Sequence, residues 1–259
     1  MAASSSLTQK VALVTGATSG IGRCIAISLA KEGCYLSITG RNETALQEVS
    51  QLCCKAGLPA DKVLSVPGDL STDEDCKRIV TSTINHFNKL DILINNAGIL
   101  VRGSLEELSI DDYDKQLNIN TRSVFLMMKL TLPHILATKG NIVNVSSNLS
   151  IKPIPGYLAY NMSKAAVDQL TRSVALEVAG RGVRVNAVNP AVIITEVHKR
   201  AGMDEAAYEK FLEDAKAFHP IGRVGQVDEV SRAVLFLASD HASFITGVTL
   251  LIDGGSTIA

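Results

Sequence analysis

Residues 14–30 read VTGATSGIGRCIAISLA. Gly16, Gly20 and Gly22 stand in the spacing G-x-x-x-G-x-G, directly after the apolar run 11–15 and at the head of an apolar helical pattern. Each glycine answers a different steric demand. Gly16 lets the chain turn sharply off a strand. Gly20 lets backbone approach a ligand with no Cβ in the way. Gly22 lets the following helix pack close to the sheet. The helix start then offers unpaired N–H groups and the positive end of its dipole, a cradle for a pyrophosphate, with Thr18, Ser19 and Ile21 in its wall. A strand, a glycine turn and a helix in this order point to a dinucleotide-binding βα unit.

The same alternation continues outward. VALVT (11–15), YLSIT (35–39), KVLSV (62–66), DILIN (91–95), NIVNV (141–145), VRVNAV (183–188) and VTLLI (248–252) are rich in Val, Ile and Leu, as strands buried on both faces require. Helical patterns lie near 20–32, 42–56, 72–88, 111–137, 160–180 and 227–238. This order predicts an α/β fold: a parallel sheet with helices on both faces. No linker, repeat or low-complexity block interrupts it, so 1–259 is expected to be a single domain. Residues 191–220 break the rhythm, a long and partly helical excursion between the last two strands that is expected to form a lid.

Composition excludes several functions. Of 259 residues 46% are apolar and 20% charged, with a formal net charge of −1, so no bulk field recruits nucleic acid or an anionic membrane. Trp is absent and aromatics are 4%, too few for a base-stacking surface. No apolar run reaches the ~18 residues of a membrane span. The five cysteines are an odd number without CxxC spacing, which suits a reduced, cytoplasmic setting. The N-terminal stretch MAASSSLTQK has no hydrophobic signal core, and GGSTIA at the C-terminal end is not a Ser-Lys-Leu address.

The second strand ends in Gly40-Arg41-Asn42, with no acid before Glu43. A site for NAD usually places a carboxylate near here to hold the ribose hydroxyls. An arginine instead pairs with a 2′-phosphate and stacks on adenine. NADP(H) is therefore the expected dinucleotide, with NAD(H) as the alternative.

Residues 159–170, AYNMSKAAVDQL, place Tyr160 and Lys164 four apart at a helix start, on one face. Upstream, IVNVSS ends a buried strand and presents Ser146 and Ser147 at its carboxyl edge, where open parallel sheets bind ligands. A phenol near pKa 10 is a good donor but a poor base at neutral pH. An ammonium close by is expected to lower that pKa by about 1–3 units and make the pair an acid–base device.

Taken with these motifs, the chain resembles the short-chain dehydrogenase/reductase family, in the manner of its 3-oxoacyl carrier protein reductases and carbonyl reductases. The resemblance spans residues 10–255. It rests on Thr15-Gly16-x3-Gly20-x-Gly22, Asp69 in GDL, NNAG at 95–98, Asn120, Ser147, Tyr160-x3-Lys164 and the Asn-Pro pair at 189–190. It implies a doubly wound, seven-stranded Rossmann sheet and hydride transfer between a nicotinamide and a carbonyl or alcohol. Ser147 precedes Tyr160 by thirteen residues, which selects it over Ser146, and Asn120 with Phe125 fits the family's asparagine better than Asn118. The implied roles are proton donation by Tyr160, hydrogen bonding to the carbonyl oxygen by Ser147, ribose holding and pKa lowering by Lys164, and a water relay on Asn120. Asp69 and Leu70 would take the adenine, Asn96 and Gly98 the adenosine side, and Pro190, Ile193 and Thr195 the carboxamide. Ala191 departs from the glycine usual after that Asn-Pro pair and puts substrate shape in question.

The substrate pocket is expected from the loops after the fourth, fifth and sixth strands: Leu100 and Val101, then Leu149, Ile154 and Tyr157, then Val192 and Ile193. The lid adds Met203, Phe211 and Phe218, and Arg102 and Lys152 are the nearby cations. An apolar ketone fits this list. The alternatives are an NAD-linked alcohol dehydrogenase and a non-catalytic nucleotide sensor on the same fold. The five histidines show no metal-ligand spacing, so no metal site is expected. The stretch 245–255 reads as a buried strand that in relatives packs on a second subunit, implying a homotetramer.

Overall fold

A computed structural model describes residues 6–259. The expectations for the N-terminal stretch and for one domain over 1–259 extend onto residues 1–5, which lie outside the described residues.

In chain order the elements are β1 (Val11–Val14), α1 (Gly20–Lys31), β2 (Tyr35–Gly40), α2 (Glu43–Lys55), β3 (Val63–Pro67), α3 (Asp73–Phe87), β4 (Ile92–Asn95), α4 (Ile110–Leu117), α5 (Ser123–Thr138), β5 (Asn141–Val145), α6 (Leu158–Val178), β6 (Arg184–Pro190), α7 (Val197–Arg200), α8 (Glu205–Ala215), α9 (Val227–Ala238) and β7 (Thr249–Ile252). The strands form one parallel sheet in the order β3-β2-β1-β4-β5-β6-β7. Strand order reverses between β1 and β4, which opens a crevice at their carboxyl ends.

Alternation along β1 shows how the layers are built. Ala12 and Val14 face one core, shared with Ile25 and Leu29 of α1 and Val230, Val234 and Leu237 of α9. Val11 and Leu13 face the other, shared with Ile79 and Val80 of α3, Met127 and Ile135 of α5 and Val167 and Val178 of α6. Successive side chains on a strand point to opposite faces, so a run with no polar residue needs helices on both sides. Polar groups start the helices: Asn42 accepts from Ala45 N, Thr72 from Asp75 N, and Gln226 with Glu229 forms a reciprocal cap on α9.

Two expectations need correction. The pattern at 111–137 is not one helix, because a π-turn at Asn118–Arg122 separates α4 from α5. The 3.6-residue pattern runs on through the extra backbone residue, so the sequence carries no mark of it. β7 is only half-buried, because it is the last strand of the sheet and one edge has no neighbour.

Candidate active site

The glycine turn is locked to the end of β4. Gly16 and Gly20 have φ of +63° and +54°, in the left-handed region that favours glycine. A Cβ on Gly22 would lie 2.3 Å from both Asn96 Nδ2 and Gly16 O, so no other residue fits there. Asn96 Nδ2 donates to the carbonyls of Thr15 (2.9 Å) and Gly16 (3.1 Å), while Thr15 Oγ1 accepts from Asn96 N and Ala97 N. Thr18 packs where a Cβ on Gly40 would lie. Ser19 heads α1 without capping it, and its hydroxyl accepts from Arg200 Nη2 at 3.0 Å. The first N–H groups of a helix have no carbonyl partner within it. An uncapped α1 start, an Arg200 without a carboxylate partner among the described residues and an exposed Arg41 at the end of β2 fit the phosphates of a dinucleotide.

The remaining residues expected at the adenine end lie around this cradle. Asn42 spends its side chain on capping α2. Asp69 Oδ1 accepts from Ser71 N at 2.9 Å, and Leu70 beside it is buried.

Tyr160 and Lys164 lie on the first turns of α6, with Lys164 Nζ 5.6 Å from the centre of the Tyr160 ring. Lys164 is buried, and its Nζ donates to Val145 O at 2.9 Å, leaving two of its three donors for other partners. Burial lowers its pKa to about 8, against an opposing pull from Asp168. The Tyr160 pKa departs from expectation. Burial pushes the phenol up to about 12, and the hydrogen bond with Ser147 only partly offsets it. Desolvation is the largest cause of the shift.

The neighbouring serines separate cleanly. Ser146 Oγ donates to Lys164 O at 3.1 Å and so braces α6. Ser147 Oγ accepts from Leu149 N (3.2 Å) and donates to Pro190 O (3.4 Å), and it lies close enough to the Tyr160 phenol to lower its pKa. Asn120 is fully buried in the π-turn. Its Oδ1 accepts from Ile99 N (2.8 Å), and its Nδ2 donates to Ile99 O (2.9 Å) and Ser163 Oγ (3.1 Å). A Cβ on Gly98 would lie 3.3 Å from Asn120 Oδ1 and 3.6 Å from Lys164 Nζ, so the β4 end reaches the centre of the site. Asn118 instead donates to Ser71 O, at the adenine end.

Beyond β6, Pro190 and Ile193 are buried, and Val192 and Ala191 are half-buried. Ala191 has no left-handed φ, so a methyl is accommodated without backbone strain. A Cβ on Gly20 would lie 3.2 Å from Thr195 Cγ2, which places Thr195 against the glycine turn. On the substrate side, Tyr157 is buried and Leu149 half-buried, while Ile154 is exposed on the rim. Phe211 packs on His198, with ring centres 4.4 Å apart, and Met203 is half-buried. Phe218 is 68% exposed and does not cover the site. Lys152 is not free for a substrate either, since its Nζ donates to the carbonyls of Ser256 (2.9 Å) and Ala259 (2.6 Å).

Sequence reading missed a buried brace. Asp168 Oδ2 accepts from Ser150 Oγ (2.6 Å) and Asn189 Nδ2 (2.8 Å), and both donors also reach Ser147 O. Its signal was available, because Asp168 follows Lys164 by one further step of four on an otherwise apolar face. Tyr208 was also missed: its hydroxyl donates to Thr195 O (2.8 Å) and accepts from Thr195 N (3.1 Å).

Residues 16–257 match a family model described as enoyl-(acyl carrier protein) reductase. The chain belongs to the short-chain dehydrogenase/reductase family. It is 36% identical to an NAD-dependent glycerol dehydrogenase of Listeria innocua, over 97% of this chain and 95% of that one. It is 38% identical to a 3-oxoacyl-[acyl-carrier-protein] reductase of Thermotoga maritima, over 96% and 98%. Among solved structures, a short-chain dehydrogenase/reductase of unknown function from Caenorhabditis elegans, solved with cofactor, superposes with a TM-score of 0.93 at 37% identity, covering 98% of this chain and 97% of that one. This family member is an oxidoreductase acting on alcohols or carbonyls.

Proposed function

We propose that the protein reduces an apolar ketone with NADP(H). The observation that carries the cofactor reading is Arg41, an exposed guanidinium at the β2 end that forms no ion pair among the described residues and has no acid before it in the turn. The bound nicotinamide supplies the hydride. Tyr160 gives its proton to the carbonyl oxygen, for which a high phenol pKa is no obstacle, since a donor has only to stay protonated. Ser147 hydrogen-bonds the same oxygen as charge develops on it. Lys164 turns its two spare donors to the ribose hydroxyls and to water held near Asn120. Pro190, Ile193 and Thr195 would line the nicotinamide carboxamide, and Gly98, expected on the adenosine side, instead stands beside Asn120 and Lys164. Residues 191–220 act as the lid of the single domain. Five free cysteines, with burial raising the thiol pKa of Cys53 to about 12 and of Cys76 to about 11, accord with a cytoplasmic protein.

We also infer a homotetramer from two apolar faces. On one, Phe125 and Leu170 line a groove of about 580 Å3 between α4, α5 and α6. On the other, Phe236 and Phe244 stand exposed near the open β7 edge. Two independent self-complementary contacts are what a D2 tetramer requires. Light scattering measures the mass directly.

The decisive assay is a panel of ketones and alcohols with NADPH and NADH, on wild type and Tyr160→Phe. Turnover of ketones by wild type, cut by about 10²–10⁴-fold in Tyr160→Phe with cofactor binding retained, supports the reading. Tight cofactor binding with no turnover across the panel favours a nucleotide sensor instead.

A further inference from the structure

Two cations were expected near the substrate rim, and neither forms an ion pair with a side-chain carboxylate among the described residues. Lys152 is occupied by the Ser256 and Ala259 carbonyls. Arg102 forms no ion pair among the described residues, and its guanidinium carbon lies 5.3 Å from the centre of the Tyr157 ring. That ring is buried, so it is a fixed platform. The loop carrying Arg102 is also fixed. Gly103 bridges Tyr157, Gly103 N donates to Gly156 O at 2.9 Å, and Leu158 N donates back to Gly103 O. Arg102 is thereby anchored to the start of α6. Tyr157 precedes Tyr160 by three residues, about 5 Å along a helix axis at 1.5 Å per residue.

A second polar group stands near by. His198 of α7 packs on Phe211, and its Nδ1 is buried without a hydrogen-bond partner. Burial, and then the Arg102 charge, hold its imidazole neutral, with a pKa of about 4. The charge of Arg102 therefore reaches α7, across the mouth between the β4–α4 loop and the 191–220 segment. A guanidinium stacked on an aromatic ring keeps its N–H edge free, and that edge matches a carboxylate in a bidentate pair. Among the described residues no carboxylate pairs with it.

The geometry points to a substrate that carries its own: an oxo acid, whose carboxylate is remote from the reacting carbon and pairs with Arg102 while its carbonyl meets Tyr160 and Ser147. The apolar side chains Leu149 and Val192 then face the methylene chain between the two ends. This rests on the ketone-reductase reading and narrows it.

The test is a series of oxo acids of increasing length, each with its methyl ester, assayed with both nicotinamides. At the matching length the acid is expected to exceed its ester in kcat/KM by about tenfold or more, the scale of one charged hydrogen bond. Its KM is expected to rise with ionic strength while that of the ester does not. In Arg102→Gln the acid-to-ester ratio falls toward one, and Arg102→Lys recovers part of it. A thermal melt of each variant checks the fold, which this exposed position leaves intact. A ratio near one at every length, or a preference that survives in Arg102→Gln, overturns the oxo-acid assignment and leaves the reductase reading standing. A chain that binds cofactor and turns over no ketone or alcohol of any kind overturns both.

Discussion

Asn189 donates its side-chain amide to Asp168 Oδ2 at 2.8 Å, joining the end of β6 to the middle of α6. The same amide reaches Ser147 O at 3.0 Å, and Ser150 completes the link, so one buried carboxylate sets where Ser147 stands. Asp168→Asn is expected to lower kcat by about tenfold, through the loss of charge-assisted hydrogen bonds. Because the Asp168 charge favours the Lys164 ammonium, its removal also moves the alkaline limb of the pH–rate profile to lower pH. A purely structural role would lower stability and leave that limb in place.

Lys164→Met is expected to make the cofactor-free protein more stable at neutral pH while it cripples turnover. The folded-state pKa is about 8, below the unfolded value of 10.5. Folding at pH 7 must therefore bury an ammonium, at a cost of roughly 2–4 kcal/mol. From pH 8 upward the folded chain releases that proton and the cost shrinks, vanishing near 10.5. Melting temperatures of the two proteins should differ most below pH 8 and converge as the pH rises. A variant less stable than wild type at pH 7 would show that the Val145 hydrogen bond outweighs desolvation.

Arg41→Asp is expected to reverse the cofactor preference. The lost charged hydrogen bond to the 2′-phosphate is worth about 10- to 150-fold in affinity. The new carboxylate repels the phosphate and accepts the ribose hydroxyls of NADH. Equilibrium titration with NADPH and NADH, alongside kcat/KM for each, decides it. A wild type that prefers NADH, or a ratio untouched by the substitution, sinks the NADP(H) assignment.

Residues 191–220 touch the cofactor side through Thr195 against Gly20 and through Arg200 on Ser19. Hydrogen exchange in this segment is expected to slow when cofactor binds, and to slow less in Arg200→Ala. Equal protection with and without cofactor would end the lid reading.

Much of the sheet was legible in the sequence, because strands covered on both faces are rich in Val, Ile and Leu, although Ser37, Thr39, Asn144 and Asn186 are buried among them. The glycine turn was legible for the complementary reason: Gly16 and Gly20 occupy backbone conformations that other residues rarely adopt. Tyr160 and Lys164 were singled out by their spacing of four, Ser147 and Asn120 by the resemblance to the family, and the fold brings the four together near the carboxyl ends of β4 and β5. What spacing could not carry is desolvation, which decides the pKa of Tyr160 and is a property of everything packed around it. The partners of Lys152 were illegible for a similar reason: Ser256 and Ala259 are over a hundred residues away, and it is their backbone oxygens that accept, which no sequence pattern marks.

The clasp between Thr15, Gly16 and Asn96 has a bearing on how such chains diversify. It continues through Gly98 to Asn120 and on to Ser163, so the turn after β1 and the helix bearing Tyr160 belong to one inelastic spine. The segments 100–104 and 149–157 and the stretch 197–218, with α7 and α8, border that spine. The chain has relatives named for glycerol on the one hand and for 3-oxoacyl substrates on the other, and exchange of rim segments that spare Arg200 is expected to change substrate choice more than the reaction. For protein engineering the division is practical: recombination breakpoints belong in the rim, and a crossover that separates Asn96 from its own glycine turn forfeits the catalyst.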